Sequence, residues 1–98
     1  MEIRPEIRKS GQDSVDYAIS QIPIICNMLR KEDEIRGEIS EEVDFILGAV
    51  FGIAHSKFDT KCEKLELMPI ASEADLVNEH FLNNVKRITE QVINQIGI

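Results

Sequence analysis

Tryptophan is absent from this 98-residue chain, tyrosine occurs once, at Tyr17, and no stretch gathers lysine and arginine. These absences exclude nucleic acid as a partner. A protein that grips a phosphate backbone displaces counterions with clustered cations, a single-strand binder stacks bases on aromatic rings, and this chain carries a formal net charge of −7. Lys57, Lys61 and Lys64 recur at near-helical spacing, but Asp59, Glu63 and Glu66 are interleaved with them, so the segment reads as a solvated face. Long apolar runs are missing too. The longest, Val43 to Ala54, falls short of the roughly 20 residues needed to cross a bilayer. The N-terminal MEIRPEIRKSGQD lacks the apolar centre of a secretory signal. The expectation is a cytoplasmic protein with no membrane partner. Cysteine is scarce, with Cys26 and Cys62 alone, at a separation that matches no zinc pattern. In a reducing compartment both read as thiols, although the sequence leaves a disulfide between them open.

What is present is a globular composition, 43% apolar and 30% charged. A chain of this length buries roughly two-thirds of its unfolded surface, enough for one modest core and a single domain. Residues 1–12 hold Pro5, Gly11 and two isolated isoleucines among charges, which reads as an extended arm before a helical domain over 13–98. From Asp13 as N-cap, Val15, Ala18, Ile19, Ile22, Ile25, Cys26 and Leu29 recur at helical spacing. Pro23 interrupts them, because its ring clashes with the carbonyl four residues back, so a kink or two short helices meeting at Gln21–Pro23 is predicted. Residues 30–39, polar and containing Gly37, end that unit.

Ser40 followed by Glu41 and Glu42 starts a second helix, running to about residue 67 before Pro69. Ser72 and Asp75 form a capping-box variant ahead of the third. That helix carries the cleanest stripe, Val77, Phe81, Val85, Ile88, Val92 and Ile96, and Gly97 stops it. The fold class expected is all-α, a small bundle of three principal helices with the first broken at Pro23.

The middle helix sets the assembly. On a helical wheel, the apolar side chains of 43–54 cover roughly 240° of arc, leaving a narrow strip with Asp44, Gly48 and Gly52, whereas an edge helix of a small bundle shows a stripe of a little over 100°. Phe45, Ile46, Leu47, Val50, Phe51 and Ile53 need cover, and each fully buried side chain contributes about 1.5–3 kcal/mol. A homodimer, or a higher homo-oligomer, centred on Phe45, Gly48, Phe51 and Gly52 supplies it. A helical glycine costs about 1 kcal/mol relative to alanine, which close approach of another helix offsets.

Two constellations carry chemistry. His55, Asp59 and Cys62 fall on the wheel near Asp44, and imidazole, carboxylate and thiolate at i, i+4 and i+7 are ligand types for a transition metal or zinc. Glu38, Glu41 and Asp44 share a face at i, i+3 and i+6, within a segment from Glu32 to Asp44 that sets seven carboxylates against one Arg36. Grouped carboxylates suit magnesium. The stretch Glu41–Glu42–Val43–Asp44–Phe45–Ile46–Leu47 resembles the second half of the acidic signature of the all-α NTP pyrophosphatases, an E-x-x-D element opening an apolar helix. Only Glu41 and Asp44 match. That family's first element, E-E-x-x-E on a preceding helix, has no counterpart at the right distance, since the run around Glu34 and Glu38 is too near and is split by Gly37.

The resemblance implies a magnesium-dependent nucleotide pyrophosphohydrolase as the alternative function. For nucleophilic catalysis Cys62 lacks a neighbouring base, with His55 about 10 Å away along the helix, and His80, beside Glu79 and Asn84, reads as a surface histidine. The residues favour a non-enzymatic acidic interaction or regulatory module, acting as a homo-oligomer and presenting its charge to a protein partner, with no cofactor.

Overall fold

Pro5 opens the first helix instead of interrupting an arm. In a computed structural model, which describes residues 3–31 and 42–96, α1 spans Pro5–Ser20, with Arg4 extended as the N-cap and the proline in the first turn. A proline there forfeits no bond, because the first N–H groups of a helix have no internal acceptor. The expectation of an extended arm over 1–12, with a helix beginning at Asp13, is therefore corrected. Ile7 is fully buried in the core.

The polar look of this stretch misleads because its buried face is made of small residues. Ser10, Gly11, Ser14 and Ala18 are all buried. The Ser10 hydroxyl donates to the Glu6 carbonyl at 2.8 Å and Ser14 to the Ser10 carbonyl at 2.6 Å, so neither leaves an unsatisfied polar group in the interior. Gly11 is where α1 lies close to a neighbouring helix: a Cβ built there would stand 3.4 Å from the Leu76 Cβ.

The first helical unit does break, at Gln21. The α2 helix spans Ile22–Lys31, so Pro23 lies in its first turn and its missing N–H removes no helical bond. The α3 helix runs Glu42–Leu65, about 36 Å at 1.5 Å per residue. Ser40 and Glu41, its expected start, lie outside the described residues. It ends with Glu66 in the left-handed region, φ 56°, while Glu66 N–H donates to the Glu63 carbonyl and Leu67 N–H to the Cys62 carbonyl. This is the Schellman pattern, with glutamate where glycine is usual.

A single turn, α4 (Ala71–Ala74), leads into α5 (Leu76–Ile96). The capping expected from Ser72 and Asp75 is displaced: Ile70 is the N-cap of α4 and Glu73 the side chain that reaches back, accepting from the Ile70 N–H at 3.0 Å. No strand occurs among the described residues, and the helices form a compact bundle in which α1 packs chiefly on α3 and both pack on α5.

Along α5 the expected stripe is the observed one, with Val77, Phe81, Ile88 and Val92 buried and Val85 and Ile96 half-buried against them. In α3 the buried residues are Ile46, Val50, Ala54, Phe58 and Cys62, each four after the last. Steps of four overshoot a 3.6-residue turn by about 40°, so the buried line winds about 160° around α3 along its length. Such a row packs against helices that cross it obliquely. The fixed wheel, which assumes one straight buried face, misplaces Cys62 on the polar strip for this reason.

Candidate functional site

The exposed strip of α3 is built by the same winding line. With Ile46 and Val50 turned inward, the residues beside them face out: Phe45 is 47% exposed and Phe51 36%. Gly48 and Gly52 between them are exposed, and a Cβ at either position would meet no atom of the described residues within 4 Å. Among the described residues no other helix approaches these glycines. Of the six large side chains expected to need a second copy for cover, Ile46 and Val50 are fully buried and Leu47 and Ile53 half-buried against the core, so the chain covers four by itself. The two phenylalanines are what remains.

Phe51 is partly held by α5. Its ring meets Phe81 edge-on with centroids 5.0 Å apart and His55 at 4.5 Å. Such pairs add about 0.5–1.5 kcal/mol beyond area burial. His55 Nε2 in turn lies 2.7 Å from Asn78 Oδ1, a contact in which the ring nitrogen carries the proton and donates. The exposed strip is thereby fixed on a rigid α3–α5 pair.

The metal-ligating expectations fare differently. His55, Asp59 and Cys62 are not brought together: His55 engages Asn78, Asp59 is exposed, and Cys62 is buried in the core line. Among the described residues no three His, Cys, Asp or Glu side chains converge as a metal site. Of Glu38, Glu41 and Asp44, the first two lie outside the described residues, and Asp44 is exposed at the start of α3. Among the described residues, no helix is long and apolar enough to cross a membrane.

Both cysteines are buried thiols. Burial pushes the Cys62 thiol above its ordinary value, and the carboxylates of Asp59 and Glu73 push it further, against a smaller opposite pull from Arg4. A thiolate is the reactive form. The expected result is that a disulfide reagent such as DTNB labels the folded protein more than about 100-fold slower than the urea-unfolded chain. Rapid stoichiometric labelling of native protein would contradict this burial.

Two functional-looking features escape sequence reasoning. Glu73 is fully buried, and its carboxylate accepts four hydrogen bonds, from Arg4 N at 3.0 Å, Arg4 Nε at 3.1 Å, Arg4 Nη2 at 2.7 Å and Ile70 N at 3.0 Å. Arg4 Nη2 also donates to the Met68 carbonyl at 2.7 Å, so one fork ties the start of α1 to the segment after α3. The charge-assisted bonds from Arg4 hold the Glu73 carboxyl at a pKa of about 2, against the opposing effect of burial. Sixty-nine residues separate the pair, and no local pattern announces it.

His80, expected at the surface, is the second. It is half-buried, its Nε2 is buried without a partner among the described residues, and it lines a polar cleft with Gln12, Asp16 and Asn84. No family profile matches this chain, and neither a characterised protein nor a solved structure is significantly similar to it.

Proposed function

We propose that this chain is a non-enzymatic helical interaction module that works as a homo-oligomer, most simply a twofold dimer, and presents an acidic surface to a protein partner. The observation that supports it is the outer strip of α3, where two half-exposed phenylalanines flank two glycines with open space above them. Gly48 and Gly52 each cost about 1 kcal/mol in a helix, and no described residue packs over them to offset that. A second helix lying in the shallow channel they create would. Two copies crossing antiparallel about the midpoint of the strip bring Gly48 of each against Gly52 of the other, a self-complementary arrangement that closes and does not propagate.

Substitutions at the glycines test the reading with two readouts. In the protomer alone, Gly48→Ala and Gly52→Ala should each stabilise by about 0.5–1 kcal/mol, since alanine is the better helix former and the space is open. In the dimer, Gly48→Leu and Gly52→Leu fill the channel and should weaken association about tenfold or more, read by sedimentation equilibrium across a micromolar range. Wild-type protein that sediments as a stable monomer at about 100 μM, well above the dissociation constants of typical specific dimers, would overturn the proposal.

A further inference from the structure

The C-terminal half of α3 sorts its charges in space although they alternate in sequence. Asp59, Glu63 and Glu66 line one cleft, whereas Lys61 and Lys64 line a separate groove with Ser10 and Leu65, and the Lys57 ammonium sits 4.5 Å over the Tyr17 ring. On α3, Asp59 and Glu63 point about 150° away from the mean direction of the three lysines. The interleaved segment is thus two faces of opposite sign, not one mixed solvated face. Among the described residues none of the three carboxylates takes part in an ion pair.

With the carboxylates, Cys62, Leu67, Met68 and Pro69 line this cleft. Its volume is about 320 Å³, and Met68 is 85% exposed. Ile70, just beyond Pro69, is also exposed. A methionine thioether adapts to varied apolar partners. The backbone carrying it is held in place by the Arg4 fork on the Met68 carbonyl and by the Glu66 turn.

We infer that this cleft docks a cationic amphipathic segment of another protein, its apolar side chain seated against Leu67 and Met68 and its lysines or arginines paired with Asp59, Glu63 and Glu66. The inference rests on the reading of the chain as an interaction module and names the class of partner, but it does not depend on self-association. Charge complementarity selects the occupant. Asp59 and Glu63 stand one turn apart on α3, and Glu66 follows just past its end, which matches cations spaced about one turn apart on a facing helix. The same rim repels an anionic lipid surface. A second copy is the poorer occupant, because a head-to-tail pairing of its lysine face with this cleft would not close.

The test uses the full chain, 15N-labelled, titrated with an acetylated and amidated twelve-residue peptide that repeats Lys-Leu-Leu-Lys, and with the same peptide carrying Glu in place of Lys. Saturable amide shifts confined to residues 58–70 are expected with the Lys peptide only, weakening as NaCl rises from about 50 to about 500 mM. The Glu63→Gln/Glu66→Gly double variant should bind about tenfold more weakly. Glycine relieves the left-handed backbone at residue 66, so loss of folding does not explain that loss. Shifts that map instead to the acidic residues 32–44, equal binding of the Glu peptide, or unchanged affinity of the double variant would overturn the inference. Sedimentation of the same variant keeps the two readings apart, since the cleft lies at the far end of α3 from Gly48 and Gly52.

Discussion

Replacing Glu73 with glutamine is expected to lower the melting temperature by on the order of 10 °C at pH 7. The carboxylate is fully buried and accepts three bonds from Arg4 and one from Ile70. Glutamine offers a single carbonyl oxygen to these donors and turns an N–H₂ group toward the others, leaving a guanidinium whose fork has lost its partner. Arg4→Met should be at least as damaging, because it leaves the buried carboxylate without its counter-ion. Arg4→Lys keeps the charge and loses the two-pronged geometry, so it should fall between wild type and Arg4→Met.

The same pair makes a pH-dependent statement. The Glu73 carboxyl titrates near 2 in the folded protein and near its ordinary 4.5 when unfolded. As pH falls, the unfolded chain takes up the proton first, so the folded state loses its relative advantage. The contribution is complete above about pH 5 and is lost progressively between about 4.5 and about 2. Thermal melts followed by circular dichroism from pH 7 to pH 2.5 should show this limb in the wild type and a flatter one in Glu73→Gln. Identical acid limbs in the two proteins would mean that other carboxylates carry the effect.

Gly11 is the second position where a large effect is expected, and its sign depends on the side chain. A Cβ there meets the Leu76 Cβ at 3.4 Å and the His80 Cδ2 at 3.6 Å, ordinary contact distances. Gly11→Ala should therefore fit and gain up to about 1 kcal/mol of helix propensity. Gly11→Leu has no room for its further carbons without parting α1 from α5, and overpacking of this kind costs about 1–3 kcal/mol, occasionally more. Urea unfolding of the two variants should move the midpoint in opposite directions. A leucine variant as stable as wild type would show that α1 does not lie against α5 as described.

Gly11 also shows why the glycines were hard to read. Three glycines lie in the interior of described helices, at 11, 48 and 52. The apolar run around Gly48 and Gly52 points to them as close-packing positions, yet no described residue lies opposite them, while Gly11, in a stretch that looks like an arm, touches α5. A glycine's packing role depends on what lies opposite it, and in this chain that is Leu76, far away in sequence. The serines around Gly11 compound the difficulty, because they look polar in the sequence and become apolar in effect once their hydroxyls bond to the preceding turn.

Local periodicity determined the helical class, the break ahead of Pro23, and the inward stripe of α5 from Val77 to Ile96, because an amphipathic pattern on a straight helix is complete in the sequence itself. Tertiary structure alone decided the start of α1 at Pro5, the burial of Glu73 against Arg4, the inward turn of Cys62 and the sorting of the α3 charges onto two faces. Each of these depends on where another segment crosses, and oblique packing makes the buried line of α3 wind around its axis so that a fixed wheel cannot follow it. Contacts between residues dozens of positions apart are created by folding, and no window along the chain contains both partners.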